Sequence, residues 1–256
     1  MAPQVRIGTS GWNYPHWADG IFYPPELKPP GWLSFYSRHF DSVEVNNTFY
    51  RLPERAVFEK WRSETPGNFL FAVKANRFIT HVKRLADPEA SVSRFLENAA
   101  GLQEKLGPLL FQLPPTSKRN LERLEGLLAC LHRQKIVPGV RAALEVRHAS
   151  WLEPGCFSLL KKYNAALVLA DWPGLNIRAP VCADFVFVRR HSPEPEYGLG
   201  YPDAHLRRDA RLIRGWVSEG RSVYIYFNND AGGFAARNAR RLKQLLAGKL
   251  DEESEE

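Results

Sequence analysis

Glu44, Lys74, Glu145 and Arg147 lie in three short apolar runs, SVEVNN, FLFAVK and AALEVR, at positions that alternate with aliphatic or aromatic residues. Successive residues of a β-strand face opposite sides. If Val43 and Val45 meet a helix layer, Glu44 and Asn46 point the other way. The same rule sets Phe69, Phe71 and Val73 against Lys74, and Leu144 and Val146 against Glu145 and Arg147. Gln112 alternates with Phe111 and Leu113, while Tyr224, Tyr226 and Asn228 alternate with Val223, Ile225 and Phe227. Paired carboxylates beside cations can move protons, hold a divalent cation or clamp an anion. Asp171, closing the run ALVLAD, supplies a third acid. Glu44, Glu145, Lys74, Arg147 and Asp171 are therefore the catalytic candidates. Lys74 would suit imine formation if desolvated, but a nearby Glu44 would keep it charged and quiet. Isolated buried charges are costly, so these groups must be paired or face water. An ion network that merely fills the interior is the competing account.

The elements that must position these side chains follow from the same apolar runs. Eight occur, at 5–10, 42–47, 69–74, 108–113, 142–147, 166–171, 185–190 and 222–227. Amphipathic stretches lie between most of them, at 31–39, 54–64, 88–106, 118–134, 154–163 and 203–219, with 234–247 at the end. Leu121, Leu124, Leu127, Leu128 and Leu131 trace one such stripe. Strands alternating with helices over this length predict an α/β fold, a single-domain (β/α)8 TIM barrel over residues 1–250. The connection between the sixth and seventh strands, WPGLNIRAPVCA, is too Pro- and Gly-interrupted for a helix. Barrel sites are built at the carboxyl ends of the strands, where the polar residues gather.

VYIYFNNDAGGFAARNA, residues 223–239, places two amides, an acid and two glycines between the last strand and the last helix. Gly232 and Gly233 would let the backbone approach a phosphate at the helix amino terminus, with Arg189 and Arg190 alongside. A capped turn without a ligand is the simpler alternative. Trp12, Tyr14, Trp17, Phe49, Tyr50, Trp151 and Trp172 fall at or after strand ends, where they either cap the core or stack on a base or sugar ring. Trp12, Asn46, Tyr50, Gln112, Arg189, His191, Tyr226, Asn228 and Asn229 are the substrate-binding candidates. His81, His148 and His191 share that end, but alternation turns His148 towards the helices, and no HExxH or CxxC occurs. The metal and cofactor remain unknown at this level. Sequences of the P-loop and G-x-G-x-x-G types are absent, and G-T-S-G-W is not a nucleophile elbow.

Net charge is +7 although the final DEESEE holds five acids, so the body of the chain is basic and 251–256 is expected to be a disordered tail. That charge suits an anionic or phosphorylated ligand, nucleic acid included. No signal-like segment opens the sequence and no apolar run is long enough to span a membrane, so a cytoplasmic protein is expected. Cys130, Cys156 and Cys182 are scattered, as in a reducing compartment.

GTSGW, FYP, VEVNNTFY, FAVKAN, GPLLFQLPP, LEVRHASW and YFNNDAGGFAARNA, in that order along the chain, resemble the YecE-like family, domain of unknown function 72. The resemblance implies a TIM barrel and carries no established reaction. Ser192 stands where the family often has glycine after the histidine of FVRRHS. Together these readings give an enzyme acting on a phosphorylated substrate, such as a nucleic acid, nucleotide or sugar phosphate, with phosphoester hydrolysis as one chemistry. A non-catalytic nucleic-acid-binding module and a carbohydrate-active enzyme are the alternatives.

Overall fold

A computed structural model describes residues 3–172, 174–175, 179–192 and 200–248. The acidic tail expected at 251–256 and part of the WPGLNIRAPVCA connection lie outside the described residues. The strands are β1 (Val5–Thr9), β2 (Ser42–Val45), β3 (Leu70–Lys74), β4 (Leu106–Gln112), β5 (Ala142–Glu145), β6 (Ala166–Leu167), β7 (Leu169–Ala170), β8 (Phe185–Arg190) and β9 (Ser222–Phe227). The α-helices are α1 (Trp32–Tyr36), α2 (Arg55–Ser63), α3 (Pro88–Ala99), α4 (Leu121–Arg133), α5 (Pro154–Lys162), α6 (Asp203–Ser218) and α7 (Phe234–Leu246). Local chemistry sets several of their starts. Asn120 caps α4 by accepting the Arg123 N–H at 2.9 Å, and Pro88 and Pro154 open α3 and α5, where a missing N–H costs nothing.

All strand pairs within the two sheets are parallel, in the orders β1-β9-β8-β7 and β2-β3-β4-β5-β6. The sixth expected strand is split at Val168. Its first half pairs with β5 and its second with β8, while the Val168 N–H donates to Leu144 O at 2.9 Å. One short segment thus borders both sheets. Between β1 and β2, side chains take the place of a backbone ladder. Tyr36 Oη accepts the Thr9 N–H at 2.9 Å and donates to Ser42 O at 3.1 Å. Gly8 is required there, because a Cβ would lie 2.1 Å from Ser42 O.

The period of two separates the strand residues into two layers. Val43, Val45, Phe69, Phe71, Val73, Leu109, Phe111, Val186 and Ile225 join the large core shared with the helices. Ala72, Leu110, Ala143, Ala166, Val168 and Ala170 form a second cluster with Phe185, Phe187, Tyr224 and Tyr226. Small side chains from β3 and from β5 to β7 leave room for the rings of β8 and β9, so the interior is filled. Above this apolar plug, towards the strand carboxyl ends, stand Glu44, Lys74, Gln112, Glu145 and Arg189.

The stretch expected as one helix over 88–106 leaves α geometry after Ala99. It tightens into a 3-10 segment, Ala100–Lys105, in which Gln103 has φ 50°. Gly101 packs so closely on α2 that a Cβ would lie 2.7 Å from Arg55 O. The change of path also delivers Lys105, whose ammonium donates to Arg62 O and Thr65 O at 2.7 and 2.6 Å and so satisfies carbonyls at the end of α2. Among the described residues no helix is long and apolar enough to cross a membrane.

Candidate functional site

Arg189 is the centre of the carboxyl-end cluster. Leaving β8 with only 1% of its surface exposed, it donates from Nε and Nη2 to the two oxygens of Glu44 at 2.8 and 2.7 Å. Its Nη1 donates to Glu145 Oε2 at 2.5 Å. The other Glu145 oxygen accepts from Arg147 Nε at 3.0 Å and lies 3.8 Å from His191 Nε2. Burial alone would raise the Glu145 carboxyl, but Arg189, His191 and Arg147 hold it well below the ordinary carboxylate range. A carboxylate so held stays ionised at neutral pH and is poorly suited to donate a proton. The guanidinium of Arg189, expected to bind substrate, is bonded to two carboxylates and also borders the cleft described below.

Lys74 stands apart from this network. Among the described residues its ammonium has no hydrogen bond or ion pair, and it lies 4.4 Å from the centroid of the Phe49 ring. Burial, then the charge of Arg189, lower its pKa from 10.5 to about 8 against the opposing pull of Glu44 and Glu145. The expected pairing with Glu44 is therefore absent, because Arg189 occupies both Glu44 oxygens. Arg147 completes the cationic side, its guanidinium 3.5 Å from the centroid of Trp172.

Lys74, Arg147 and Arg189 floor a cleft of about 870 Å³, with Trp12, Asn46, Phe49, Tyr50, Trp61, Asn228 and Asp230 on its walls. Trp12 meets Trp61 edge-on at 5.2 Å. Asn46, just past β2, donates to Ser10 O at 3.2 Å, while its own Oδ1 and Ser10 Oγ are buried without partners among the described residues. Asn228 Nδ2 lies 3.1 Å from His191 Nδ1, and Tyr50 is 76% exposed at the rim. Lys60, Trp61 and Glu64 of α2 and the loop after it also reach the cleft. Sequence reasoning missed them because it treated that helix as packing alone; a cationic, an aromatic and an acidic residue spaced i, i+1, i+4 near one helix end was the available signal.

Several candidates are placed elsewhere. Tyr226 is fully buried below the cleft, its hydroxyl 2.6 Å from Ser42 Oγ. Gln112 is buried and donates to Leu113 O at 3.1 Å. Asn229 packs beneath α7, donating to Asn238 Oδ1 at 2.9 Å. Asp171 accepts from the His191 N–H at 2.6 Å and from the Tyr201 hydroxyl, so both of its oxygens are engaged by residues that follow β8. Arg190 points away from its neighbour and pairs with Asp209 of α6 at 2.8 and 2.5 Å. Ser192 adopts φ 58°, the left-handed conformation a glycine would favour. His148 caps the turn 149–151 through Ser150, and His81 is lowered to about 4 by burial and by Lys74 and Arg147. Among the described residues no group of three or more His, Cys, Asp and Glu is placed to hold a metal ion.

Gly232 and Gly233 have φ 58° and 74° and do not line the cleft, where Asp230 stands instead. A Cβ on Gly233 would lie 2.5 Å from Ile21 Cγ2, while one on Gly232 would make ordinary contact with the Phe234 ring at 3.4 Å. Backbone conformation and packing account for the pair. Gly233→Ala should therefore lower stability by about 1–3 kcal/mol, whereas Gly232→Asn should cost under about 1 kcal/mol. Urea unfolding of the two variants checks the contrast.

The chain is similar to UPF0759 protein YunF of Bacillus subtilis (strain 168), 27% identical over 94% of each chain. It is 32% identical to UPF0759 protein YecE of Escherichia coli (strain K12) over 59% of this chain and 51% of that one. The crystal structure of a DUF72 family protein from Thermotoga maritima MSB8 superposes with a TM-score of 0.77 at 28% identity, over 95% of this chain and 99% of that one. D-psicose 3-epimerase shares the fold alone, with a TM-score of 0.55 at 12% identity over 95% of this chain and 98% of that one. The family model described as "Protein of unknown function DUF72" matches residues 6–256, and the chain belongs to that family.

Proposed function

We propose that the two sheets close into one (β/α)8 barrel and that the cleft at its carboxyl end is the active site of an enzyme acting on a phosphorylated substrate. Arg189 of β8 supports closure by bonding Glu44 of β2 and Glu145 of β5, which belong to the other sheet and face it across the interior. The observation that carries the functional reading is the division of charge. Arg189 and Arg147 together balance the charge of the two buried carboxylates, so Lys74 is left to present a net positive charge to a cleft walled by aromatic rings, with the Arg147 guanidinium beside it. Such a site suits an anionic group beside a planar or ring-shaped moiety, as in a nucleotide or sugar phosphate. Glu44 and Glu145 then set the electrostatics and Glu145 holds Arg147, while Lys74 is the group able to gain and lose a proton near neutral pH. The cations that hold Glu145 ionised weigh against its serving as the proton donor of glycoside hydrolysis.

Tryptophan fluorescence reports on this cleft directly, since Trp12 and Trp61 line it. Inorganic phosphate, nucleotides and sugar phosphates should quench or shift that emission and raise the Tm. Lys74→Gln and Arg147→Gln should each weaken binding about tenfold or more, the usual worth of a charge-assisted contact. Wild-type protein indifferent to all three ligand classes would sink the reading.

A second reading, non-catalytic binding of a nucleic acid strand, is favoured by one feature. The cleft shares Asn47, Tyr50 and Val57 with a neighbouring groove of about 1080 Å³ that carries Phe78, Arg51, Lys83 and Arg94. Oligonucleotide binding that falls steeply with salt and accompanies no turnover would select it.

A further inference from the structure

We propose that Lys74 is a carbonyl-directed amine, condensing with the aldehyde or ketone of an anionic substrate held in the cleft to give an imine. The inference rests on the proposed anion site and specifies the substrate class further, as a carbonyl compound with a negatively charged group.

Placement carries it. Lys74 ends β3 on a rigid strand, opens onto the cleft, and overlies Phe49 at 4.4 Å. Both nearby carboxylates are consumed by Arg189 and Arg147, so among the described residues no acceptor holds the ammonium. Two guanidinium groups and an apolar ring are poor company for a residue whose task is to stay charged. They favour the neutral amine, whose lone pair is the nucleophile. The cation–π contact with Phe49 and the charges of Glu44 and Glu145 oppose this, and burial with the like charge of Arg189 outweighs them. Lys74 differs here from Lys105, Lys83 and Lys162. Lys105 is more deeply buried, yet its ammonium is spent on Arg62 O, Thr65 O and Thr65 Oγ1. Lys83 and Lys162 pair with Asp87 and Glu125 at the surface. The lowering of Lys74 to about 8 agrees with the geometry and leaves its amine roughly a hundredfold more unprotonated at pH 7.5 than that of an ordinary lysine.

The chemistry balances without a further reactant. The amine nitrogen bonds to the carbonyl carbon, and the carbonyl π pair moves to oxygen, which takes a proton. The nitrogen then gives up protons as the carbon–oxygen bond breaks, the oxygen departs as water, and a carbon–nitrogen double bond remains. Arg147, still beside Trp172, is left to hold the anionic end.

Pyridoxal 5′-phosphate combines an aldehyde, a phosphate and an aromatic ring, and its imine is fixed by sodium borohydride. At one equivalent and pH 7.5, reduction and peptide mass spectrometry should place the adduct at Lys74 at least about tenfold above any other lysine. Inorganic phosphate should compete, and the yield should rise as pH passes through about 8. Lys74→Arg, with unfolding in urea showing that it folds, should lose that adduct. Lys74→Gln serves for the same loss if the arginine variant does not fold. Label spread over surface lysines, and unchanged in the variant, overturns the proposal. Phosphate binding by wild-type protein with no adduct at Lys74 refutes the imine and leaves the anion site standing. Failure of both phosphate and aldehyde to bind removes both.

Discussion

Arg189→Met is expected to destabilise the fold by about 3–5 kcal/mol at pH 7, the cost of leaving buried carboxylates without their counter-charge. Glu44 and Glu145 are fully buried, and Arg189 supplies three of the hydrogen bonds that hold them. Methionine fills similar volume but offers neither charge nor donor. Adding Glu44→Gln and Glu145→Gln to the same chain should recover much of the loss, because neutral amides tolerate the interior better than unpaired anions. The pH dependence has a defined sign. Glu145 is held below the ordinary carboxylate range in the folded protein, so its contribution is complete above about 4.3 and declines as pH falls through its folded value. Without Arg189 that depression is removed, and acid should relieve the variant by protonating the carboxyl. The gap between variant and wild type should therefore narrow from pH 7 towards pH 4. Urea unfolding followed by tryptophan fluorescence measures both. A gap below about 1 kcal/mol at pH 7 would mean that water reaches the pair and that the cluster is not the sealed floor described above.

The polar ring at the strand carboxyl ends was legible because the period of two is a local property. Val43 and Val45 announce where Glu44 points without knowledge of any other strand. Which cation meets which acid was not legible, since Arg189 and Glu44 are 145 residues apart and meet only when distant strands share an interior. The sequence did hold one unused signal. Applied to FVFVRR, alternation sends Arg189 inward with Phe185 and Phe187 and Arg190 outward, where Asp209 takes it. Placing both arginines beside the expected phosphate overlooked that rule.

The glycine pair shows the opposite limit. A Gly-Gly step before a helix reads equally as a phosphate loop or as a left-handed turn, and the close approach of Ile21, more than 200 residues earlier in the chain, could not be read from it. The divided sixth strand is similar. ALVLAD has uniform apolar character, yet Val168 is where pairing passes from β5 to β8. Ser192 takes a left-handed conformation, φ 58°, that its residue type does not announce. Lys74 was identified as a candidate from its strand position, but its isolation depends on where Glu44 was already committed.

That isolation makes an unusual prediction: Lys74→Met should stabilise the protein, by about 1–3 kcal/mol at pH 7, although most core-side substitutions destabilise. The folded protein lowers the lysine from 10.5 to about 8, so below pH 8 it carries an ammonium it would rather not hold. The full displacement would correspond to about 3 kcal/mol, reduced here because the ammonium reaches the solvent of the cleft. Between pH 8 and about 10.4 the unfolded chain binds more protons than the folded one, so wild-type stability should rise with pH across that window. Methionine has nothing to titrate, and its advantage should shrink towards pH 10. Unfolding in urea at pH 7 and at pH 10 separates this from a packing effect, which would be the same at both. If Lys74→Met is instead destabilised at pH 7 with no dependence on pH, the ammonium has a counter-charge in solution. The amine would then be neither unpaired nor poised to react. A stabilised variant that also loses phosphate binding would mark Lys74 as a residue kept at the expense of the fold, the pattern expected of a group retained for function.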